Sequence, residues 1–228
     1  MDISFAVSKM YDNTIAHYEH VKRILKYLKK TQDTSIRYTR DDDPGKRNVL
    51  VGYCDADWAS DIDSRRSQTG YVFYLNGAPI SWQSTKQSTV ALSSVESEYM
   101  ALSSATQELL YLRQLLKDLG YEQRNATTVY EDNQSCIHLA NDHGFSKRTK
   151  HIDIRHHFLR DVIREGGLSL LHIPTAQQVA DVFTKALDNP KFTPLVGRLL
   201  YSKYLNSRSA VKDLEAPLSV KKRRTCSP

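Results

Sequence analysis

The dipeptide Asn76-Gly77 lies between two runs rich in β-branched and aromatic residues, Thr69 to Leu75 and Ile80 to Gln83. Both turn residues tolerate the positive φ of a tight antiparallel connection, so the stretch predicts a hairpin of two neighbouring strands. Ahead of it, Asn48 to Asp55 (NVLVGYCD) is an almost unbroken apolar run that ends abruptly in acids and reads as a third strand. Behind it, Leu102, Ala105, Leu109, Leu112, Leu116 and Leu119 recur at spacings of three and four. That period predicts one long helix, stopped by Gly120. Thr127 to Asp132 reads as a strand, Gln134 to Asn141 as a short helix, and Ile152 to Arg164 as another. Leu168 to Ile173 is a strand closed by Pro174, and Ala176 to Leu187 is expected to be helical. This order predicts an α/β fold, a mixed sheet with helices packed on it.

The flanks read differently. Tyr18, Val21, Leu25 and Leu28 form an apolar stripe among Lys22, Arg23, Lys26, Lys29 and Lys30, which predicts a short helical appendage over residues 1–44. Its apolar face has little of its own to pack on, so it looks like a piece of something larger. Arg40 to Arg47, broken by Pro44-Gly45, is a connection. The main domain is expected over 45–190 and a weakly patterned basic tail over 191–228.

The chain carries a net charge of +6, which favours a polyanionic partner. No apolar run approaches the roughly 20 residues of a membrane helix, and the first residues are too polar for a signal peptide. The expected setting is the cytosol or the nucleus, without a membrane partner. Cys54, Cys136 and Cys226 form no CxxC pair, and Cys54 and Cys136 read as small buried hydrophobes. His138, His143, His151, His156, His157 and His172 match no zinc spacing.

Four acids fall at the ends of predicted core elements, where an acid is costly without a task. Asp55 closes the first strand, with Asp57 two residues on. Glu98 lies four residues before Leu102, which continues the apolar stripe of the long helix onto its buried side, whereas Glu96 falls on the opposite side. Asp132 ends the TTVYED strand, and Asp181 opens the helix expected near Gln178. If they converge, such carboxylates repel one another without cations, and hard oxygen ligands select Mg²⁺ or Mn²⁺. Taken singly, each acid also fits a helix cap or strand-end turn.

The motifs resemble a family. Gly52-Tyr-Cys-Asp-Ala-Asp-Trp-Ala and Ser64-Arg-Arg-Ser-Gln-Thr-Gly-Tyr-Val-Phe are similar to the opening of the ribonuclease H domain of copia-type retrotransposon Pol polyproteins. Ser81 to Leu102, Glu131-Asp-Asn-Gln-Ser, Lys150-His-Ile-Asp-Ile-Arg-His-His-Phe and Val179-Ala-Asp-Val-Phe-Thr-Lys-Ala-Leu continue the likeness in the family's order. Asp2-Ile-Ser-Phe-Ala-Val and His17 to Thr31 resemble the end of the preceding reverse transcriptase. The resemblance implies a ribonuclease H-like mixed five-stranded sheet with flanking helices. It implies Mg²⁺-dependent cutting of the RNA strand of RNA–DNA hybrids, with two Mg²⁺ ions (or Mn²⁺) held by Asp55, Glu98, Asp132 and Asp181. Asp57 and Glu96 are the alternates one register away.

Arg65, Arg66, Lys147, Arg148, Lys150 and Arg155 are expected to meet phosphates, and Thr69, Gln83, Ser84 and Asn133 2′-hydroxyls. Trp58 and Trp82 read as packing residues first and base-stacking ones second. The implied partners are the hybrid and the reverse transcriptase portion of the same polyprotein, in a cytoplasmic retroelement particle. Lys221-Lys-Arg-Arg would add the nucleus if it is an import signal. The alternative is a non-catalytic fragment that binds nucleic acid or the polymerase, or an inert truncated remnant.

Overall fold

A computed structural model describes residues 3–8, 18–39, 43, 47–142 and 153–201. The elements in chain order are α1 (Ser4–Ser8), α2 (Tyr18–Lys30), β1 (Val51–Asp57), β2 (Gln68–Leu75), β3 (Ala78–Lys86) and α3 (Ser94–Asp118). They continue with β4 (Thr127–Glu131), α4 (Gln134–Asn141), α5 (Asp153–Arg164), β5 (Leu168–His172), α6 (Asp181–Thr184) and α7 (Asn189–Leu199). The strands make one five-stranded sheet in the order β3-β2-β1-β4-β5. β1, β2 and β3 are antiparallel neighbours, while β4 runs parallel to β1 and β5 parallel to β4. This is the mixed five-stranded sheet with flanking helices expected of a ribonuclease H-like fold.

Local chemistry explains the elements. Asn76 and Gly77 both adopt positive φ, 53° and 75°, as the hairpin between β2 and β3 requires. The Asn76 side chain also accepts from the Asn48 amide at 2.7 Å, tying the turn to the entry of β1. Helix α3 begins with a reciprocal cap. Ser93 Oγ accepts from the Glu96 amide at 3.1 Å, and Glu96 Oε2 accepts from the Leu92 amide at 2.7 Å. The near-continuous apolar run of β1 follows from its central place, because both faces are covered. Cys54 and Ala56 join Tyr71, Phe73, Tyr99, Leu102, Leu109 and Leu159 in a core under α3 and α5. Tyr53 points the other way, into a second core with Val72, Val179, Phe183, Leu195, Val196 and Leu199.

Two expectations are corrected. Ala176 to Leu187 is not one helix: it holds a 3₁₀ turn at Thr175–Gln177 and the four-residue α6. The fully buried Gln178 interrupts it. Its Nε2 donates to Cys54 O at 2.8 Å, and its Oε1 accepts from the Ala180 amide at 3.2 Å. The chain past Asp188 is not all tail either. α7 buries Leu195, Val196 and Leu199 against the sheet, so the folded body extends to Tyr201.

The N-terminal appendage is tied to that same end. Ser35 and Tyr201 exchange backbone hydrogen bonds at 2.9 and 2.8 Å, and the Arg37 guanidinium sits 4.9 Å over the Tyr201 ring. Tyr27 of α2 meets Phe192 of α7 edge-on at 6.5 Å. Val21, Leu25 and Leu28 remain exposed, as the unpartnered stripe predicts. No helix among the described residues is long and apolar enough to cross a membrane.

Candidate active site

The parallel ladder between β1 and β4 ends at the pair Tyr53↔Tyr130. Two residues further along lie Asp55, still within β1, and Asp132, just past the end of β4. β1 continues to Asp57 while β4 stops at Glu131, so the side of β1 that β4 had covered opens at the level of Asp55. The second turn of α3 brings Glu98 to that opening. Asp55, Glu98 and Asp132 each offer an oxygen there, and these atoms all lie within 4.8 Å of one another. Asp55 is fully buried, Glu98 nearly so, and Asp132 half-buried.

The alternates separate cleanly. Glu96 is spent on the helix cap. Asp57, at the end of β1, opposite Gln68, is not in the close group. Asp181, at the start of α6, is buried but also lies outside that group. It connects to Asp55 through a residue that sequence reasoning missed. Lys185 Nζ donates to Asp181 Oδ1 at 2.8 Å and to Asp55 Oδ1 at 3.1 Å. Thr184 Oγ1 donates to the other Asp55 oxygen. Gly70, opposite Asp55 on β2, permits this approach. A Cβ there would lie 2.6 Å from Thr184 Cγ2 and 2.8 Å from Phe183 Cβ.

A second missed residue is Glu131. Strand alternation turns it to the same side as Thr127 and Val129, into the core beneath α3. It is fully buried, with Oε1 accepting from the Asn133 amide at 3.1 Å and Oε2 without a hydrogen-bond donor. That alternation was the signal available in the sequence, and the neighbouring Asp132 obscured it.

Burial, followed by the charges of Glu131, Asp55 and Asp132, pushes the Glu98 carboxyl well above the usual carboxylate range, with Lys185 opposing. Burial and Asp55 do the same to Glu131. Asp181 is pushed up to about 7, first by burial and then by Asp55, against the pull of Lys185. Cys54 and Cys136 are buried thiols raised by the same causes, burial first, and remain protonated hydrophobes.

A divalent cation fits this donor set. Glu98 Oε2 is buried with no hydrogen-bond partner and belongs to a group of three convergent carboxylates. Hard oxygen donors of this kind suit Mg²⁺ or Mn²⁺.

The nucleic-acid candidates divide. Arg65 and Arg66 are exposed on the loop that follows β1. Arg155 of α5 lines a groove of about 440 Å³ with Gln83, Lys86 and Glu108. Lys147, Arg148 and Lys150 lie outside the described residues. Thr69 is buried and accepts from Gln87 Nε2 at 3.0 Å, and Ser84 Oγ donates to Phe183 O at 2.6 Å. Asn133 caps α4 through the Cys136 amide at 3.1 Å. In the folded chain each of these three has a protein partner. Trp58 and Trp82 are both partly exposed, and Trp58 Nε1 donates to Ala91 O at 3.0 Å.

No protein-family model matches the chain. Its homologues include the retrovirus-related Pol polyprotein from transposon TNT 1-94 of Nicotiana tabacum, 42% identical over 77% of this chain and 13% of that protein. The Pol polyprotein from transposon RE2 of Arabidopsis thaliana is 37% identical over 84% of this chain and 13% of its own length. The chain thus spans about 13% of the length of these curated relatives. Among solved structures, LC11-RNase H1, isolated from compost by a metagenomic approach, superposes with a TM-score of 0.46. The match has 17% identity and covers 60% of this chain and 93% of that one. The fold is defined by the strand order and register of the sheet.

Proposed function

Because this chain is homologous over most of its length to the Pol polyproteins of copia-type transposons, we propose that it is their ribonuclease H unit, cutting the RNA strand of RNA–DNA hybrids. The observation that carries this reading is the convergence of Asp55, Glu98 and Asp132 within 4.8 Å at the open end of β4. Asp55, Glu98, Asp132 and Asp181 would hold two divalent cations, Mg²⁺ by preference. Such ions supply an acidified attacking water and charge to stabilise the leaving oxygen of a phosphodiester. The chain's own part is positional. β1 and the end of β4 present Asp55 and Asp132, and the capped start of α3 aims Glu98 from its second turn. Gln178, just ahead of α6, and Thr184, at its end, hold the helix against β1. Arg65, Arg66 and Arg155, with Lys147, Arg148 and Lys150, would meet the hybrid's phosphates.

Residues 1–44 would then be the end of the reverse transcriptase, and the rest of that polymerase the natural partner, in a cytoplasmic retroelement particle. The Lys221-Lys-Arg-Arg run would serve as a nuclear import signal or as an RNA-binding tail. The test is cleavage of a labelled RNA–DNA hybrid with Mg²⁺ by the purified chain, beside Asp55→Asn and Asp132→Asn. Each substitution should lower cleavage at least about a hundredfold, in the range of losing a major electrostatic contribution. Cleavage untouched by both would remove this assignment. No cleavage by a folded wild-type chain would favour the non-catalytic or remnant reading.

A further inference from the structure

We infer that Lys185 holds the place of a second divalent cation, so that the chain binds one ion readily and a second only in exchange for the Lys185 ammonium. This rests on the metal-binding reading above and deepens it. The cluster has two unlike halves. In one, Asp55, Glu98 and Asp132 each bring an oxygen within 4.8 Å of the others, and Glu98 Oε2 is buried without a hydrogen-bond partner. In the other, Asp55 Oδ1 and Asp181 Oδ1 already share a positive charge, the Lys185 ammonium at 3.1 and 2.8 Å.

A Mg²⁺ ion takes its oxygens at about 2.0–2.1 Å and keeps several waters. It cannot share both of those oxygens with an ammonium without severe repulsion, so one cation must leave. The structure says which can. The Lys185 side chain is 31% exposed on a flexible four-carbon stem, whereas that of Asp55 is fully buried and that of Asp181 is 8% exposed. Lys185 can withdraw toward solvent, and the carboxylates stay. The i,i+4 spacing from Asp181 across α6 keeps the ammonium close enough to return. The two positions are therefore filled in order, the half lined by Asp55, Glu98 and Asp132 first and the lysine-held half second.

An ordinary structural ion pair would leave the number of bound ions unchanged, and this distinguishes the two roles. The full chain, stripped of metal, is titrated with Mn²⁺ by calorimetry beside Lys185→Met and Lys185→Arg, with melting curves at each metal concentration. The wild type should take one ion tightly and a second at least about tenfold more weakly, as expected for like charges competing at contact distance. Lys185→Met should tighten the second ion by about tenfold, and Lys185→Arg, which keeps the charge, should behave as the wild type. If Lys185→Met folds only with metal, its recovery by Mn²⁺ at two ions per chain counts as the same result. Equal affinity for two ions in wild type and Lys185→Met overturns the inference while leaving the metal site standing. No Mn²⁺ bound by folded wild type overturns both.

Discussion

Glu98, Glu131 and Asp181 each keep a proton in the folded chain to a higher pH than in the unfolded one, because burial and neighbouring carboxylates penalise the charged form. As pH rises past the ordinary carboxyl value of about 4, the unfolded chain releases protons that the folded chain still holds. Stability therefore falls with rising pH across that window, which for Asp181 extends to about 7. The metal-free chain should melt at a lower temperature at about pH 8 than at about pH 5, and millimolar Mg²⁺ should restore most of the loss by pairing the carboxylates. Glu98→Gln should flatten the pH slope. A melting temperature that climbs steadily between those pH values without metal would contradict the buried-acid account. At this scale the sequence was informative where a single helix decides. The phase of α3 separates Glu98 from Glu96, and both ends of that judgement lie within one turn.

Among the elements, α6 carries the most consequence for its length. It is four residues long, too short to hold itself in place. It is positioned by Gln178 on the Cys54 carbonyl and by its close seat over Gly70. Gly70→Ala should force α6 off β2, costing about 1–3 kcal/mol as overpacked substitutions do. Cleavage and metal affinity should fall together, because Asp181 and Lys185 move with α6. Equilibrium denaturation combined with the Mn²⁺ titration checks this, and unchanged values in both would show that the seat is not needed. The sequence suggested a longer helix here because the apolar spacing of Val179, Val182 and Phe183 resembles a helical stripe. A buried glutamine that satisfies strand carbonyls is invisible to periodicity.

For the whole molecule, the folded body includes α7 and runs beyond residue 190 at least to Tyr201. α7 closes the second core with Leu195, Val196 and Leu199, and Tyr201 anchors the N-terminal appendage through Ser35. A chain ending at Pro190 should lose several kcal/mol against the full chain, since full burial of each such side chain is worth about 1.5–3 kcal/mol. Chemical denaturation should show the loss, and equal midpoints for the two chains would place α7 outside the folded body. The sequence by itself determined what short-range geometry governs: the Asn76-Gly77 hairpin, the two-sided burial of β1, the long α3 and the phase that buries Glu98. Each depends on a backbone angle or period legible within a few residues. Only the tertiary structure decided that Lys185 reaches Asp55 across 130 positions and that α7 completes the core. Those outcomes depend on which surfaces meet, and chain folding brings distant residues together without marking either in its local pattern.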